Sequence, residues 1–187
     1  MKELRNAELN AATDGTMTQT GTPIVFDTPT TINTPDGSYT EIIAAGALDS
    51  CDLSDSRLLW AHDAERVPLA RTPKTMQFTV DSQGLHMTAQ LPDTEEARAV
   101  YQAVKRGAVS GMSFAFVVAP GGDTWSADGS TRTITRIDKV LEVSAVNFPA
   151  YPTTSIEART ARQDVRSRAA ARRNAIIMAN IIISKTI

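Results

Sequence analysis

The sequence predicts an α+β fold, a small and mainly antiparallel β-barrel with surrounding helices. Two observations predict it. Short strand-like runs recur at close spacing between turn residues, and one helix in the middle of the chain carries its own start and stop signals. The 187 residues suffice for one domain with tails. A content of 42% hydrophobic and 21% charged residues is that of an ordinary globular chain.

Residues 1–21 are polar and rich in Thr, Asn and Ala, and are expected to form a flexible arm. Strand-like runs follow at "PIVFD" (23–27), at "YTEII" after the turn "PDGSY" (35–39), and at "SRLLWAHD" (56–63). "MQFTV" and "GLHMTAQL" flank "DSQG" (81–84), which reads as a hairpin connection. In the second of these strands Leu85, Met87, Ala89 and Leu91 alternate with His86, Thr88 and Gln90, so one face is apolar and the other polar. "DTEEARAVYQAVKRG" (93–107) is the helix. Asp93 or Thr94 is its N-cap, and Glu96, three residues after Asp93, completes a capping-box pattern. Ala97, Val100, Tyr101 and Val104 share one face, Lys105 and Arg106 oppose the negative end of the helix dipole, and Gly107 is a natural stop. Strands return at "MSFAFVVA" (112–119), "RTITRI" (132–137) and "KVLEVSAVN" (139–147), with "GGDTWSADGS" (121–130) read as a loop.

Charge divides the chain unevenly. From Glu157 to Ile187 there are seven basic and two acidic residues, whereas the rest holds 12 basic and 19 acidic. This basic tail is expected to be helical to about Asn174. Its apolar end, Ile176 to Ile183, is too short to span a bilayer and is expected to pack on a partner or on the body. Few aromatics accompany the tail arginines and the body is acidic, which argues against nucleic acid as the partner. Cys51 is the sole cysteine, so there is no disulfide framework and a reducing compartment fits. The N-terminal stretch has no apolar core of signal-peptide type. Two histidines and one cysteine make a Cys/His zinc site hard to build, there is no phosphate-binding glycine loop, and no cofactor is expected.

Three side chains are candidates for chemistry. Ser113, in "GAVSGMSFAF", sits in a G-x-S-x-A stretch. Strand-like residues follow it, whereas the α/β-hydrolase elbow requires a helix there; it is either a small buried residue or a nucleophile on a strand. His62 ends the apolar run "LLWAHD", where a base has access to both nucleophile and substrate; the alternative is an imidazole satisfied by a backbone carbonyl. Glu142 interrupts the apolar strand "VLEVSAV". A buried carboxylate needs a partner, either an imidazole or a cation such as Arg136 or Lys139. His86 competes with His62 but lies on the polar face of its strand.

These blocks, in this order, resemble the prohead proteases of tailed phages. The resemblance spans about residues 22–158 and rests on "YTEIIAAGAL" (an E-x-I-x-x-G-A stretch), the histidine after an apolar strand, the helix ending in "KRGAVSGMSFAF", and "LEVSAVNFPAYPTTSI". It implies a fold similar to herpesvirus assembly proteases. It also implies a serine endopeptidase, packed inside the procapsid in the host cytoplasm, that cleaves the capsid precursor and its scaffold segment and also itself. Ser113 would then be the nucleophile, His62 the base and Glu142 the third member. His86 keeps a minority claim, because herpesvirus relatives use a second histidine. Arg132 and Arg136 become candidates for supporting the loop near the oxyanion. The implied control of activity by assembly makes self-association or scaffold contact an expectation, with the tail (159–187) as the docking element. An inactive assembly factor of the same fold is the alternative, although such a protein would normally have lost one of the three residues.

Overall fold

A computed structural model of the chain describes residues 9–11, 17–34 and 37–147. The "FPAYP" block and the basic tail lie outside the described residues. Among the described residues are twelve strands and one α-helix, arranged as three four-stranded sheets.

The first sheet joins β1 (Leu9–Ala11), β2 (Thr18–Val25), β8 (Gly84–Gln90) and β7 (Met76–Val80), all antiparallel. The hairpin read at "DSQG" is its β7–β8 connection. The Asp81 carboxylate accepts from the Gln83 and Gly84 amides there, a side chain closing its own turn. Leu85, Met87 and Ala89 are buried as their alternation requires. β1 and the start of β2 precede residue 22 and lie within the stretch expected to be a flexible arm. Period-2 hydrophobicity is absent from "TQTGT", and its strand state follows from pairing with β8.

The second sheet has the order β10 (Asp123–Trp125), β11 (Thr131–Ile134), β4 (Gly37–Ile43) and β3 (Thr30–Thr34). Two of its strands went unread in sequence. β3 is a threonine-rich edge strand, and β10 lies inside the "GGDTWSADGS" stretch taken as a loop. Asp128 closes the turn between β10 and β11. It accepts from the Ser126 and Ser130 hydroxyls and the Ser130 amide, which lower its pKa to about 2.

The third sheet carries the candidate residues, in the order β6 (Ala70–Arg71), β5 (Arg57–Trp60), β12 (Ile137–Val146) and β9 (Gly111–Val118). β12 runs antiparallel to β9 and parallel to β5. Its buried side chains join one core with Ile24, Leu85, Met87 and the helix residues.

That helix is α1 (Glu95–Lys105), and it buries Ala97, Val100, Tyr101 and Val104, the face its spacing selected. Its N-cap is Thr94, whose hydroxyl accepts from the Ala97 amide at 3.3 Å. With Thr94 as cap, Glu96 falls one position short of the capping-box site and instead pairs with Arg66 at 3.0 Å. At the other end Ala108 N–H donates to Ala103 O and Gly107 N–H to Val104 O. Gly107 sits at φ +74°, the two-bond Schellman ending. This stop turns the chain directly into β9.

The architecture differs from the expected barrel in two respects. The strands form three separate four-stranded sheets with no closed barrel, and among the described residues one helix, not a ring of them, packs on the sheets. The expectation followed strand number, but closure depends on which edges pair. Here β7, β10 and β9 end their sheets without pairing to one another.

At Gly84 the β8 backbone approaches that of β2 closely. A Cβ there would stand 1.9 Å from the Ile24 carbonyl oxygen. Neither backbone can retreat without breaking the ladder, so Gly84→Ala should lower the free energy of unfolding by about 2 kcal/mol or more. Urea unfolding read by circular dichroism checks this, with a midpoint well below that of the parent chain expected.

Candidate active site

Position on β12 begins with strand parity. Val140, Val143 and Ala145 all face the core. Val140 and Val143 are three residues apart, an odd separation that a regular strand places on opposite faces. The register shift between Val140 and Glu142, where β12 passes β9, is the irregularity that reconciles them. Beyond it, Glu142 and Ser144 point to the face opposite Val143 and Ala145. On β9, Met112 and Phe114 enter the core, so Ser113 faces the other way. The antiparallel register pairs Ser113 directly with Ser144, and Ala115 with Glu142. Directly opposed residues share a face. Ser113, Ser144 and Glu142 therefore lie on one side of one sheet.

His62 reaches that side from the end of β5. The chain turns over Trp60–Asp63, with Asp63 N–H donating to Trp60 O at 3.0 Å and both central residues at positive φ, Ala61 at 53° and His62 at 62°. Non-glycine residues held there cost about 1–3 kcal/mol each and persist only where the surroundings impose them. Two bonds to β12 impose it here: Ala61 N–H donates to Ala145 O at 3.0 Å, and His62 N–H donates to Ser144 Oγ at 3.1 Å.

The side chains then meet. His62 Nδ1 lies 2.6 Å from Glu142 Oε1, and Ser144 Oγ donates to Glu142 Oε2 at 2.5 Å. The His62 and Glu142 side chains retain 18% and 12% of their exposure, so the pair is shielded but not sealed. Of the three sequence candidates, two are thus in direct contact. Ser113, 4% exposed, stands on the adjacent strand of the same sheet. The partner left open for Glu142 is the imidazole. Lys139 pairs with Asp52 at 2.9 Å, and Arg136 donates to Pro120 O at 2.6 Å.

The remaining candidates lie elsewhere. His86 is on β8 in the first sheet, where Nε2 is 3.0 Å from Asp81 and Nδ1 is 3.1 Å from the Thr22 hydroxyl. Arg132, read as a support for the loop near the oxyanion, is instead buried in the second sheet between Glu41 at 3.2 Å and Asp123 at 2.9 Å. Burial opposes its charge, but the Glu41 and Asp123 carboxylates more than compensate and raise its pKa. The glutamate of the E-x-I-x-x-G-A stretch therefore holds two strands together through this ion pair. Arg136 donates to Pro120 O in the glycine-containing turn that follows β9. Cys51, the other side chain with nucleophilic chemistry, is pushed up to about 11 by burial, which keeps it a neutral thiol near pH 7. Among the described residues there is no cluster of His, Cys, Asp and Glu suited to a metal ion. Sequence reasoning missed Ser144, the hydroxyl that touches both His62 and Glu142. Its signal was present in "LEVSAV", a second polar residue two positions after the glutamate and hence on its face.

A carboxylate in contact with an imidazole, on the sheet face that a serine shares, supplies the ingredients of serine hydrolysis. The family model for the caudovirus prohead serine protease matches residues 3–168. The chain belongs to that family. The match begins before the strand-forming part of the N-terminal stretch and runs past residue 158, further at both ends than the blocks quoted from the sequence. No curated protein and no solved structure matches the chain. Membership in a phage prohead protease family supports a role in capsid maturation. Among the described residues no helix is long and apolar enough to cross a membrane.

The Arg132 cluster gives a stability test within this family member. Glu41→Ala removes one of two carboxylates from a buried guanidinium and should cost about 3 kcal/mol, the low end for breaking a buried pair because Asp123 remains. Thermal unfolding of the variant checks it, and an unchanged midpoint would mean that the pair contributes nothing.

Proposed function

We propose that the chain is a serine endopeptidase that cleaves the capsid precursor and its scaffold segment, and itself, during procapsid maturation. Ser113 is the nucleophile, His62 the general base and Glu142 the residue that orients the base and stabilises its charged form. The observation that carries this reading is the 2.6 Å contact of Glu142 with His62 Nδ1, on the sheet face that Ser113 shares.

The chemistry follows from which nitrogen is occupied. With Glu142 accepting from Nδ1–H, the imidazole is held in the tautomer whose Nε2 lone pair is free to take a proton. A serine hydroxyl is a weak nucleophile, and transfer of its proton to Nε2 as Oγ attacks the peptide carbonyl makes it competent. The imidazolium formed is then stabilised by the adjacent carboxylate. The same proton is delivered to the leaving amine as the acyl-enzyme forms, and a water activated by His62 releases the new carboxyl end. Shielding of the Glu142–His62 pair strengthens the interaction relative to bulk water.

His86 contacts Asp81 of the β7–β8 turn and Thr22 of β2 rather than His62. That favours Glu142 as third member. In this reading the enzyme works inside the procapsid in the host cytoplasm, the tail beyond residue 158 docks it to the scaffold or to another copy, and neither membrane nor nucleic acid is a partner. An inactive assembly factor is the second reading, and the retention of Ser113, His62 and Glu142 together weighs against it.

Co-expression with the capsid precursor, followed on gels, tests the assignments together. Ser113→Ala should abolish processing in a folded chain. Glu142→Gln should slow it by about 10⁴-fold, as loss of the orienting carboxylate does in serine triads, whereas His86→Ala should leave it within a few-fold of the parent. Undiminished processing by Ser113→Ala removes the serine assignment, and a dead His86 variant transfers the third role to that histidine.

A further inference from the structure

We propose that Ser144 is a positioning residue that locks the base and its carboxylate into one unit. The inference rests on the protease reading above and adds to it a fourth side chain. Ser144 is fully buried, so its hydroxyl has no exchange with bulk water to satisfy it. It makes two bonds of opposite sense. The proton goes to Glu142 Oε2 at 2.5 Å, and the oxygen accepts the His62 backbone N–H at 3.1 Å. One hydroxyl therefore fixes both ends of the His62–Glu142 contact.

Each bond removes a specific freedom. A glutamate carboxylate rotates easily about its last torsion, and the two oxygens are otherwise interchangeable. Anchoring Oε2 leaves Oε1 aimed at His62 Nδ1. The His62 backbone, at φ 62° after Ala61 at 53°, is in a conformation that needs an external hold. The Ser144 hydroxyl supplies part of that hold, together with the Ala61–Ala145 bond. The cross-strand register adds a third relation. Ser144 is the residue directly opposite Ser113, so the strand position that fixes base and carboxylate is also the one that sets the height of the nucleophile along β9. A hydroxyl is required rather than a methyl, because an alanine would leave Oε2 and a backbone N–H without this partner. Acting through His62 and Glu142, Ser144 itself touches no reacting atom.

The test measures the cleavage rate of purified capsid precursor over a range of concentrations, together with the ¹⁵N spectrum of the His62 imidazole in each folded full-length variant. Ser144→Ala should lower kcat by about 10- to 100-fold with KM changed less than about twofold, the size expected when a catalytic group is misplaced rather than removed. Ser144→Cys, close in volume but a poor hydrogen-bonding group, should follow Ala, and Ser144→Thr, which keeps the hydroxyl, should recover most of the rate. In a Glu142→Gln background the added Ser144→Ala change should cost less than about threefold, because the unit is already broken. The His62 signals should move from a single Nδ1–H tautomer in the parent toward a mixture in Ser144→Ala. A parent-like kcat or an unmoved imidazole spectrum in Ser144→Ala overturns the proposal, as does an equal penalty in both backgrounds. A parent chain that cleaves no better than its Ser113→Ala variant refutes the protease reading itself, and the positioning role falls with it.

Discussion

The contact between His62 Nδ1 and Glu142 Oε1 is the constraint around which the third sheet is arranged. A carboxylate on an otherwise apolar strand is costly unless it is paired, and every local irregularity nearby serves that pairing. The shift in register after Val140 turns Glu142 out of the core without withdrawing Val140 or Val143 from it. The parallel pairing of β5 with β12 delivers the Trp60–Asp63 turn beside it. The two positive φ angles of that turn bring the imidazole back over the sheet, and the bonds from Ala61 and His62 to β12 hold it there.

The rest of the fold works as the frame for this sheet. α1 packs Val100, Tyr101 and Val104 into the same core as Met112, Phe114 and Val143, and its glycine ending starts β9 two residues before Ser113. The second sheet is fastened by the buried Arg132 with Glu41 and Asp123. Placing the ion pair there separates two uses of buried charge. The Arg132 cluster sets one guanidinium between two carboxylates and fastens strands, whereas Glu142 faces a group that can gain or lose a proton.

The helix was legible because its apolar face, cap and glycine stop all lie within 15 consecutive residues. The β7–β8 hairpin was legible for the same reason, since alternation and turn chemistry are local signals. Ser113, His62 and Glu142 were each visible as polar residues in apolar surroundings, but each had a bland reading, and only the resemblance of several blocks joined them. Local signals do not contain the parallel pairing of β5 with β12, between residues 85 positions apart, or the break in parity at Val140, which arises where β12 passes β9. The same limit explains the missed strands. β1, β3 and β10 are short edge strands whose state is fixed by their neighbours, and the closed barrel was an extrapolation from strand number. Ser144 went unread because a serine on a buried strand is ordinary until its two partners are known.

Labelling of the full-length chain with a fluorophosphonate, followed by mass spectrometry of its peptides, tests the central claim most directly. Such a reagent reacts with a serine only when a base activates it. The account predicts a single phosphonylated residue, Ser113, with labelling lost in His62→Ala. Labelling of a different serine, or of Ser113 at an equal rate without the His62 imidazole, would contradict it.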